Sequence, residues 1–178
     1  LEGVEVLITA RNPERLKSAT DQLRSLTGGL IRSVQADHST SQGRNRILEA
    51  CPNPDILVVT VSPPSSTPDL CDISENEWLT AFQTGAIGPI ELMKSVVDGM
   101  ADRRWGRIVN ITTIAVKYPR EVRLLSGAPR AALANYTSVI ARKMAGRNVI
   151  INSLLPGFFL TEGFKGWAKF PADLPSDI

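Results

Sequence analysis

Cysteine and histidine are scarce in this sequence. Its 178 residues include two cysteines, Cys51 and Cys71, and a single histidine, His38. Two cysteines are too few for a disulfide framework, and these two lack the paired spacing of metal ligands. We therefore predict that the protein holds no metal ion, and the cysteine usage is typical of a reducing cytoplasm.

An excess of charge of either sign is also absent. The 20 basic residues are interspersed with 18 acidic ones, which gives a formal net charge of +2. The sequence has no stripe of basic residues, so neither a nucleic acid nor an anionic membrane is predicted as a partner. No apolar run reaches the roughly 18 residues that would span a bilayer. These absences favour a small soluble ligand as the partner and a cytoplasmic location.

What the chain does contain is enough apolar residues for one folded domain. Hydrophobic side chains make up 43% of the sequence. Residues 1–178 show no repeat and no low-complexity tract, so we predict a single domain over the whole sequence. The sequence opens on Leu1 and runs almost at once into an apolar segment. Because that first residue is not methionine, we expect the chain to be a fragment of a longer protein.

Short apolar segments of strand length alternate with helical patterns along the chain. The most apolar of these segments, residues 55–61, is predicted to be a central, buried strand. Regular alternation of this kind predicts an α/β fold, a doubly wound parallel sheet that is Rossmann-like and covered by helices on both faces. The other predicted strands are residues 4–9, 30–37, 107–112 and 149–155.

Capping residues mark where two of the helices begin. Asn12 followed by Pro13 predicts the start of a helix after the first strand. Ser74, with Glu77 three residues later, forms a capping box and predicts the start of a long helix. We expect the Gly-Pro pair at residues 88–89 to kink that long helix.

Seven segments follow one another in an order and at a spacing typical of one family. They are "ITARNPERL", "QADHS", "DILVV", the long helix ending in "DGM", "GRIVNITT", "RAALANYTSVIARKMA" and "VIINSLLPGFFLTE". Together they resemble the short-chain dehydrogenase/reductase family over nearly the whole chain, up to about residue 162. The resemblance implies an oxidoreductase that moves hydride between a nicotinamide cofactor and a small carbonyl or alcohol substrate.

The resemblance also implies which residues bind the cofactor. In the family an acidic residue after the second strand selects NAD, whereas a small residue followed by arginine favours NADP; here Ala10 is followed by Arg11. A guanidinium can bind the 2′-phosphate bidentately, so NADP is the predicted cofactor. NAD stays possible if Arg11 is only a solvated loop charge, and Asp37 taken alone fits a loop turn equally well. The other implied cofactor contacts are Asp37, His38, Thr60, Val61, Ser62, Arg130, Pro156, Gly157 and Thr161.

Four catalytic positions of the family are changed in this sequence. Alignment places Thr113, Ser126 and Arg130 where the family has Ser, Tyr and Lys, and it places Gly85 where the family has Asn. Thr113 keeps a hydroxyl that can polarise a carbonyl oxygen. A serine hydroxyl, however, is far more basic than a phenol, and a guanidinium does not titrate in the useful range. Thr113, Ser126 and Arg130 are therefore the candidate catalytic residues of an atypical site.

Two interpretations of Ser126 remain open. It is either a catalytic acid or the N-cap of a helix, which we favour, with Pro129 in the first turn and Arg130 on the rim contacting ribose or phosphate. In the first function hypothesis the protein is an active reductase that takes its proton from water or Tyr118. In the second it is a catalytically weak or inactive cofactor-binding pseudo-enzyme with a scaffold or redox-sensing role.

Two further expectations concern a missing segment and assembly. The family's first strand and its Gly-rich turn, which holds the cofactor pyrophosphate, have no match in the 178 residues. That strand would lie in the middle of the sheet. The apolar faces of the helices that end at Met100 and Gly146 predict that these helices pair across a two-fold axis, giving a homodimer or homotetramer.

Overall fold

The polypeptide alternates between strands and helices throughout. A computed structural model describes residues 3–61 and 70–157. The strands are β1 Val6–Ala10, β2 Ile31–Gln35, β3 Ile56–Thr60, β4 Gly106–Ile111 and β5 Val149–Leu154. The helices are α1 Pro13–Thr27, α2 Ser41–Ala50, α3 Glu75–Phe82, α4 Gly88–Asp102 and α5 Leu124–Met144. All five predicted strands are present, with small shifts at their ends.

The strands all pair in parallel, but they form two sheets. β1 pairs with β2 in one sheet, and the second sheet has the order β3-β4-β5. Within residues 3–61 and 70–157, no strand pairs with the remaining edge of β1 or of β3. The fold is the predicted Rossmann-like α/β arrangement, interrupted between β1 and β3.

β3 is not the central, buried strand that its apolar sequence predicted. Among the described residues it pairs with β4 alone. Ile56 and Val58 are 46% and 58% exposed, whereas Leu57 and Val59, on the other face of the strand, are not exposed. The buried middle of this sheet is β4, where Ile108 and Asn110 have no exposed surface. Burial in β3 alternates between the two faces of the strand, so apolar content alone does not predict it.

Both predicted helix starts are confirmed. The Asn12 side chain accepts a hydrogen bond of 2.8 Å from the backbone N–H of Arg15, so it caps α1. The side chains of Ser74 and Glu77 each accept a hydrogen bond from the other residue's backbone N–H, which forms the capping box of α3. Both starts could be predicted because these side chains accept hydrogen bonds from backbone N–H groups that have no partner inside the helix.

The long helix is interrupted earlier than the kink expected at residues 88–89. A π-helical turn over Gln83–Ile87 separates α3 from α4. α4 then begins at Gly88, with Pro89 in its first turn, where a missing N–H costs little.

The main core lies between the second sheet and helices α4 and α5. Met93, Met100, Ile108 and Val149 are fully buried in it. These buried residues of α4 pack inside their own chain, and the predicted pairing of helices across a two-fold axis remains a prediction. On α5, Val139 is half exposed. No helix of the described ranges is both long enough and apolar enough to cross a membrane.

Candidate nucleotide and catalytic site

The candidate site residues that the structure describes lie at or near the carboxyl ends of the parallel strands, where sheets of this kind bind ligands. Two groups among them are defined here. We call Arg11, Asp37 and the cavity beside them the open cluster, at the ends of β1 and β2. We call Val61, Ser126 and Arg130 the buried cluster, which joins the end of β3 to the start of α5.

Backbone and side-chain hydrogen bonds place Arg11 beside the end of β2. Nε2 of Gln35 donates to the Arg11 carbonyl at 3.1 Å, and the Ala36 N–H donates to the Ala10 carbonyl at 3.1 Å. The loops after β1 and β2 thereby share a cavity of about 320 Å³. Its lining includes Arg11, Asp37, Thr40, Gln42, Gly43 and Arg46.

The Asp37 carboxylate is held in its charged form. Its Oδ1 accepts hydrogen bonds from the Ser39 N–H at 2.9 Å and from the Ser39 hydroxyl at 2.6 Å. Burial alone would raise the pKa of Asp37, but these hydrogen bonds, followed by the positive charge of Arg11, outweigh it and lower that pKa. The open cluster therefore contains one fixed negative charge.

His38 contacts the π-helical turn. Its Nε2 lies 3.1 Å from the Thr84 carbonyl oxygen, and its own carbonyl accepts a hydrogen bond of 3.0 Å from Nη1 of Arg44. A methyl group added at Gly88 would lie 2.7 Å from the His38 carbonyl oxygen, so the two segments pack closely. His38 is not among the residues that line the cavity, and its predicted contact with adenine remains a prediction.

Arg130 is the centre of the buried cluster. Its Nη2 donates to the Val61 carbonyl at 2.6 Å, and its Nη1 donates to the carbonyl and the hydroxyl of Ser126 at 3.0 and 2.6 Å. Its Nε–H has no acceptor, and no carboxylate of the described residues forms an ion pair with the guanidinium. Burial, together with the positive charge of Arg123, lowers the pKa of Arg130.

Two expectations about this cluster were wrong. Arg130 is not on the rim of the helix, because only 3% of its surface is exposed. Ser126 is not an N-cap: α5 begins at Leu124, its N-cap residue is Arg123, and that side chain makes no capping hydrogen bond. Ser126 therefore lies inside the first turn, 6% exposed, and its hydroxyl accepts from Arg130 instead of from a backbone N–H.

Thr113 and Pro156 meet at the ends of β4 and β5. The half-buried Thr113 caps a short 3-10 turn, and its hydroxyl oxygen accepts a hydrogen bond of 3.3 Å from the Ala115 N–H. A hydroxyl that accepts one hydrogen bond can still donate one. The next residue along, Ile114, donates its N–H to the Pro156 carbonyl at 2.9 Å. The two loops are therefore fixed to each other beside the Thr113 hydroxyl.

Gly85 lies in the π-helical turn and packs against α5. A methyl group added at Gly85 would come within 2.9 Å of Cβ of Pro129, which is fully buried. A larger side chain such as asparagine cannot enter this contact unless Pro129 moves. The glycine at this position and the proline on α5 therefore fit each other.

The remaining predicted site residues are placed as follows. Thr60 ends β3 and Gly157 follows Pro156 after β5, both exposed. Tyr118 is 66% exposed on the loop beyond Thr113. Ser62 and Thr161 lie outside the described residues.

Arg46, which lines the cavity from α2, is not among the residues predicted from the sequence. The available signal was its spacing from Gln42 and Gly43, since residues three and four apart share one face of a helix. Neither that spacing nor the residue type separates it from an ordinary solvated arginine. Metal-binding clusters of His, Cys, Asp and Glu are not found within the described part of the chain.

Parallel strands joined by helices, with polar side chains gathered at the strand ends, define a dinucleotide-binding type of α/β fold. A family model described as short chain dehydrogenase matches residues 1–171. The chain therefore belongs to the short-chain dehydrogenase family, and the resemblance stated from the sequence is confirmed.

Three similar proteins illustrate the range of the family. The 3-oxoacyl-[acyl-carrier-protein] reductase FabG of Pseudomonas aeruginosa is 28% identical over 90% of this chain and 66% of its own length. The NADP-dependent 3-hydroxy acid dehydrogenase YdfG of Shigella flexneri is 26% identical over 93% of this chain and 68% of its own length. A solved short chain dehydrogenase/reductase family protein is 29% identical, with a TM-score of 0.87, over 98% of this chain and 72% of its own. The chain thus spans about two thirds of the length of these curated relatives.

Proposed function

We propose that this chain is the greater part of an NADP(H)-dependent oxidoreductase that acts on a small carbonyl or alcohol substrate in the cytoplasm. The observation that carries the proposal is the place of Arg11, directly after β1 and on the wall of a cavity at the strand ends. The residue before it is Ala10, so β1 itself does not end in a carboxylate of the kind that selects NAD. A similar dehydrogenase is named for its dependence on NADP.

The residues of the open cluster fit the adenosine end of such a cofactor. The cavity volume of about 320 Å³ falls within the range of small-molecule sites. Arg11 offers a planar set of donors for phosphate oxygens. In this proposal the bound nicotinamide supplies or accepts the hydride, and the protein supplies position and hydrogen bonds.

Thr113 is proposed to polarise the substrate carbonyl. Its hydroxyl already accepts from the Ala115 N–H, which leaves its proton to be donated to the substrate oxygen. A fixed donor of this kind stabilises the negative charge that develops on that oxygen. Water or the exposed Tyr118 then provides the proton, because neither a serine hydroxyl nor a guanidinium releases one readily near neutral pH.

Arg130 is proposed as a positioning residue. Its hydrogen bonds fix the Val61 carbonyl to the first turn of α5, beside the place where the family resemblance puts the nicotinamide ribose. Direct contact with the ribose would use the donors that these bonds leave free, such as the buried Nε–H. We therefore assign Arg130 to shaping the end of β3, with ribose contact as its secondary role.

The interrupted sheet supports the view that the chain is one part of a larger domain. β1 and β3 each keep one edge without a partner strand in the described residues, and an unpaired strand edge is able to pair with a further strand. We propose that a further parallel strand, followed by the turn that holds the pyrophosphate, pairs with these edges. Assembly into a homodimer or homotetramer stays part of the proposal, to be tested by sedimentation.

The second candidate function is a cofactor-binding pseudo-enzyme. It is favoured by the buried cluster, because the Ser126 hydroxyl is engaged by Arg130 and Gly85 leaves no space for a polar side chain beside Pro129. A protein with these features would bind NADPH and turn over carbonyl compounds slowly or not at all.

The test is NADPH oxidation by the full-length protein with a panel of ketones, aldehydes and 3-oxo esters. Thr113→Val keeps the shape of the side chain and removes its hydroxyl, and we expect it to lower kcat by about 10²-fold. Arg11→Ala should remove most of the preference for NADPH over NADH. If no compound of the panel oxidises NADPH while calorimetry still detects NADPH binding, the pseudo-enzyme is the correct alternative.

A further inference from the structure

The cavity of the open cluster contains a second guanidinium that the proposed function leaves unused. Arg46 lines this cavity together with Arg11. The two arginines come from different elements, since Arg11 follows β1 and Arg46 lies on α2. An exposed arginine on a helix is ordinary by itself, so its meaning depends on how it is held and on which charges surround it.

The first turn of α2 rests directly on the loop that carries Asp37. The Thr40 hydroxyl donates to the Asp37 carbonyl at 3.0 Å and accepts from the Gly43 N–H at 3.0 Å. A methyl group at Gly43 would overlap the Asp37 backbone, so only glycine permits this approach. Arg46 lies three residues further along α2 and lines the cavity. Its helix is fixed to the Asp37 loop, which lines the same cavity.

The charges around the cavity do not balance. Asp37 contributes one negative charge, and the positive charge of Arg11 acts on it, lowering the pKa of Asp37 together with the stronger effect of the two hydrogen bonds from Ser39. Arg46 makes no ion pair or side-chain hydrogen bond within the described residues. The cavity therefore has two cations against one anion, and Arg46 is the cation whose charge is unshared.

We propose that Arg46 is a specificity-determining residue that binds the 2′-phosphate of the cofactor jointly with Arg11. This rests on the proposed function, because it assigns a residue to the cofactor of that function. A phosphate monoester carries a charge of about −1.5 to −2 at neutral pH and offers three acceptor oxygens, enough for two guanidinium groups. Asp37 would repel such a group, and the unshared charge of Arg46 offsets that repulsion. A cofactor without the 2′-phosphate leaves Arg46 in water and gains nothing from it.

The test uses nucleotides that bypass the pyrophosphate and the nicotinamide. Calorimetry on the full-length protein compares adenosine 2′-monophosphate with adenosine 5′-monophosphate, which places its phosphate elsewhere on the ribose. We expect the 2′-nucleotide to bind more tightly, and Arg46→Ala to weaken it about three- to tenfold while changing the 5′-nucleotide by less than about twofold. The matched control is Arg142→Ala, which removes an exposed arginine from the last turn of α5 and should leave both affinities unchanged.

Several outcomes would overturn the proposal. It is wrong if Arg46→Ala binds the 2′-nucleotide as the native protein does, or if it weakens both nucleotides equally, which would indicate a general charge effect. It is also wrong if the native protein does not distinguish the two nucleotides. These results are separate from the test of the proposed function. If the protein does not oxidise NADPH, the proposed function is wrong, but the nucleotide selectivity is unaffected. If the protein oxidises NADPH and Arg46→Ala does not change nucleotide affinity, only this inference is wrong.

Discussion

The open and the buried cluster each centre on an arginine, and the two arginines do opposite things. Arg11 is exposed on the wall of a cavity, and its charge acts on a neighbouring carboxylate. Arg130 is 3% exposed and forms no ion pair with a carboxylate of the described residues. It donates hydrogen bonds to the Val61 carbonyl and to the carbonyl and hydroxyl of Ser126. One is arranged to meet a ligand, whereas the other is arranged to hold two elements together.

The difference shows why residue type alone is a poor guide to a site. A buried charge costs free energy unless hydrogen bonds compensate it, and Arg130 is kept in place by its bonds to Val61 and Ser126. An exposed charge beside a cavity has no such bonds to lose. The open cluster should therefore control ligand selectivity with little effect on stability, and the buried cluster should control stability.

Replacing each arginine with alanine should separate the two clusters most clearly. Arg130→Ala opens a cavity and leaves the Val61 carbonyl and the Ser126 hydroxyl without their donor, so we expect it to lower the free energy of unfolding by about 3 kcal/mol. Arg11→Ala should change it by less than about 0.5 kcal/mol. Urea denaturation of both variants measures the difference. If both variants lose the same free energy of unfolding, the two clusters do not differ in their contribution to stability.

The contact between Gly85 and Pro129 is the second place to break the buried cluster. Gly85→Ala would place a methyl group 2.9 Å from Cβ of Pro129, and we expect a net loss of about 1 to 2 kcal/mol from overpacking. Gly99→Ala on α4 meets only the flexible end of Arg103, at 3.4 Å, so it should gain up to about 1 kcal/mol from helix propensity. Thermal unfolding of the Gly85→Ala and Gly99→Ala variants measures this difference in stability. A stabilised Gly85→Ala would show that the π-helical turn has room for a side chain.

Much of the fold could be predicted from the sequence because its signals are local. Each strand appears as a short apolar run, and the caps of α1 and α3 appear as Asn12-Pro13 and as Ser74 with Glu77. The burial of β3 could not be predicted from its own residues, because it depends on which faces and edges of the strand other elements cover. The family and its parallel sheet followed from the order of segments rather than from any one of them.

The candidate site was harder to predict, because its geometry depends on contacts between distant segments. Ser126 was expected to cap α5, but a 3-10 turn over Glu121–Arg123 leads into the helix and starts it earlier. The bond from Arg130 to Val61 joins residues 69 positions apart. Arg46 gave no usable signal, since the cavity that gives it meaning forms only when α2 closes on Asp37.

The smallest expected effect concerns the pH dependence of stability, and it probes the one negative charge of the open cluster. The pKa of Asp37 is lowered in the folded chain, so the folded state favours the ionised form. The stabilisation is therefore fully present above the pKa of the unfolded chain, about 3.9, and is lost as the pH falls through the lower, folded pKa. Because water screens a carboxylate at a cavity mouth, we expect this contribution to be below about 1 kcal/mol.

Asp37→Asn keeps the acceptor oxygen for Ser39 but cannot ionise, so the native protein should lose more stability than this variant in urea titrations taken from pH 6 down to about pH 3. Asp98→Asn, at an exposed position of α4, is the matched control and should follow the native protein. An unchanged gap between native protein and Asp37→Asn across that range would show that the charge of Asp37 is not stabilised by Ser39 and Arg11, and the charge balance on which the role of Arg46 depends would then have to be revised.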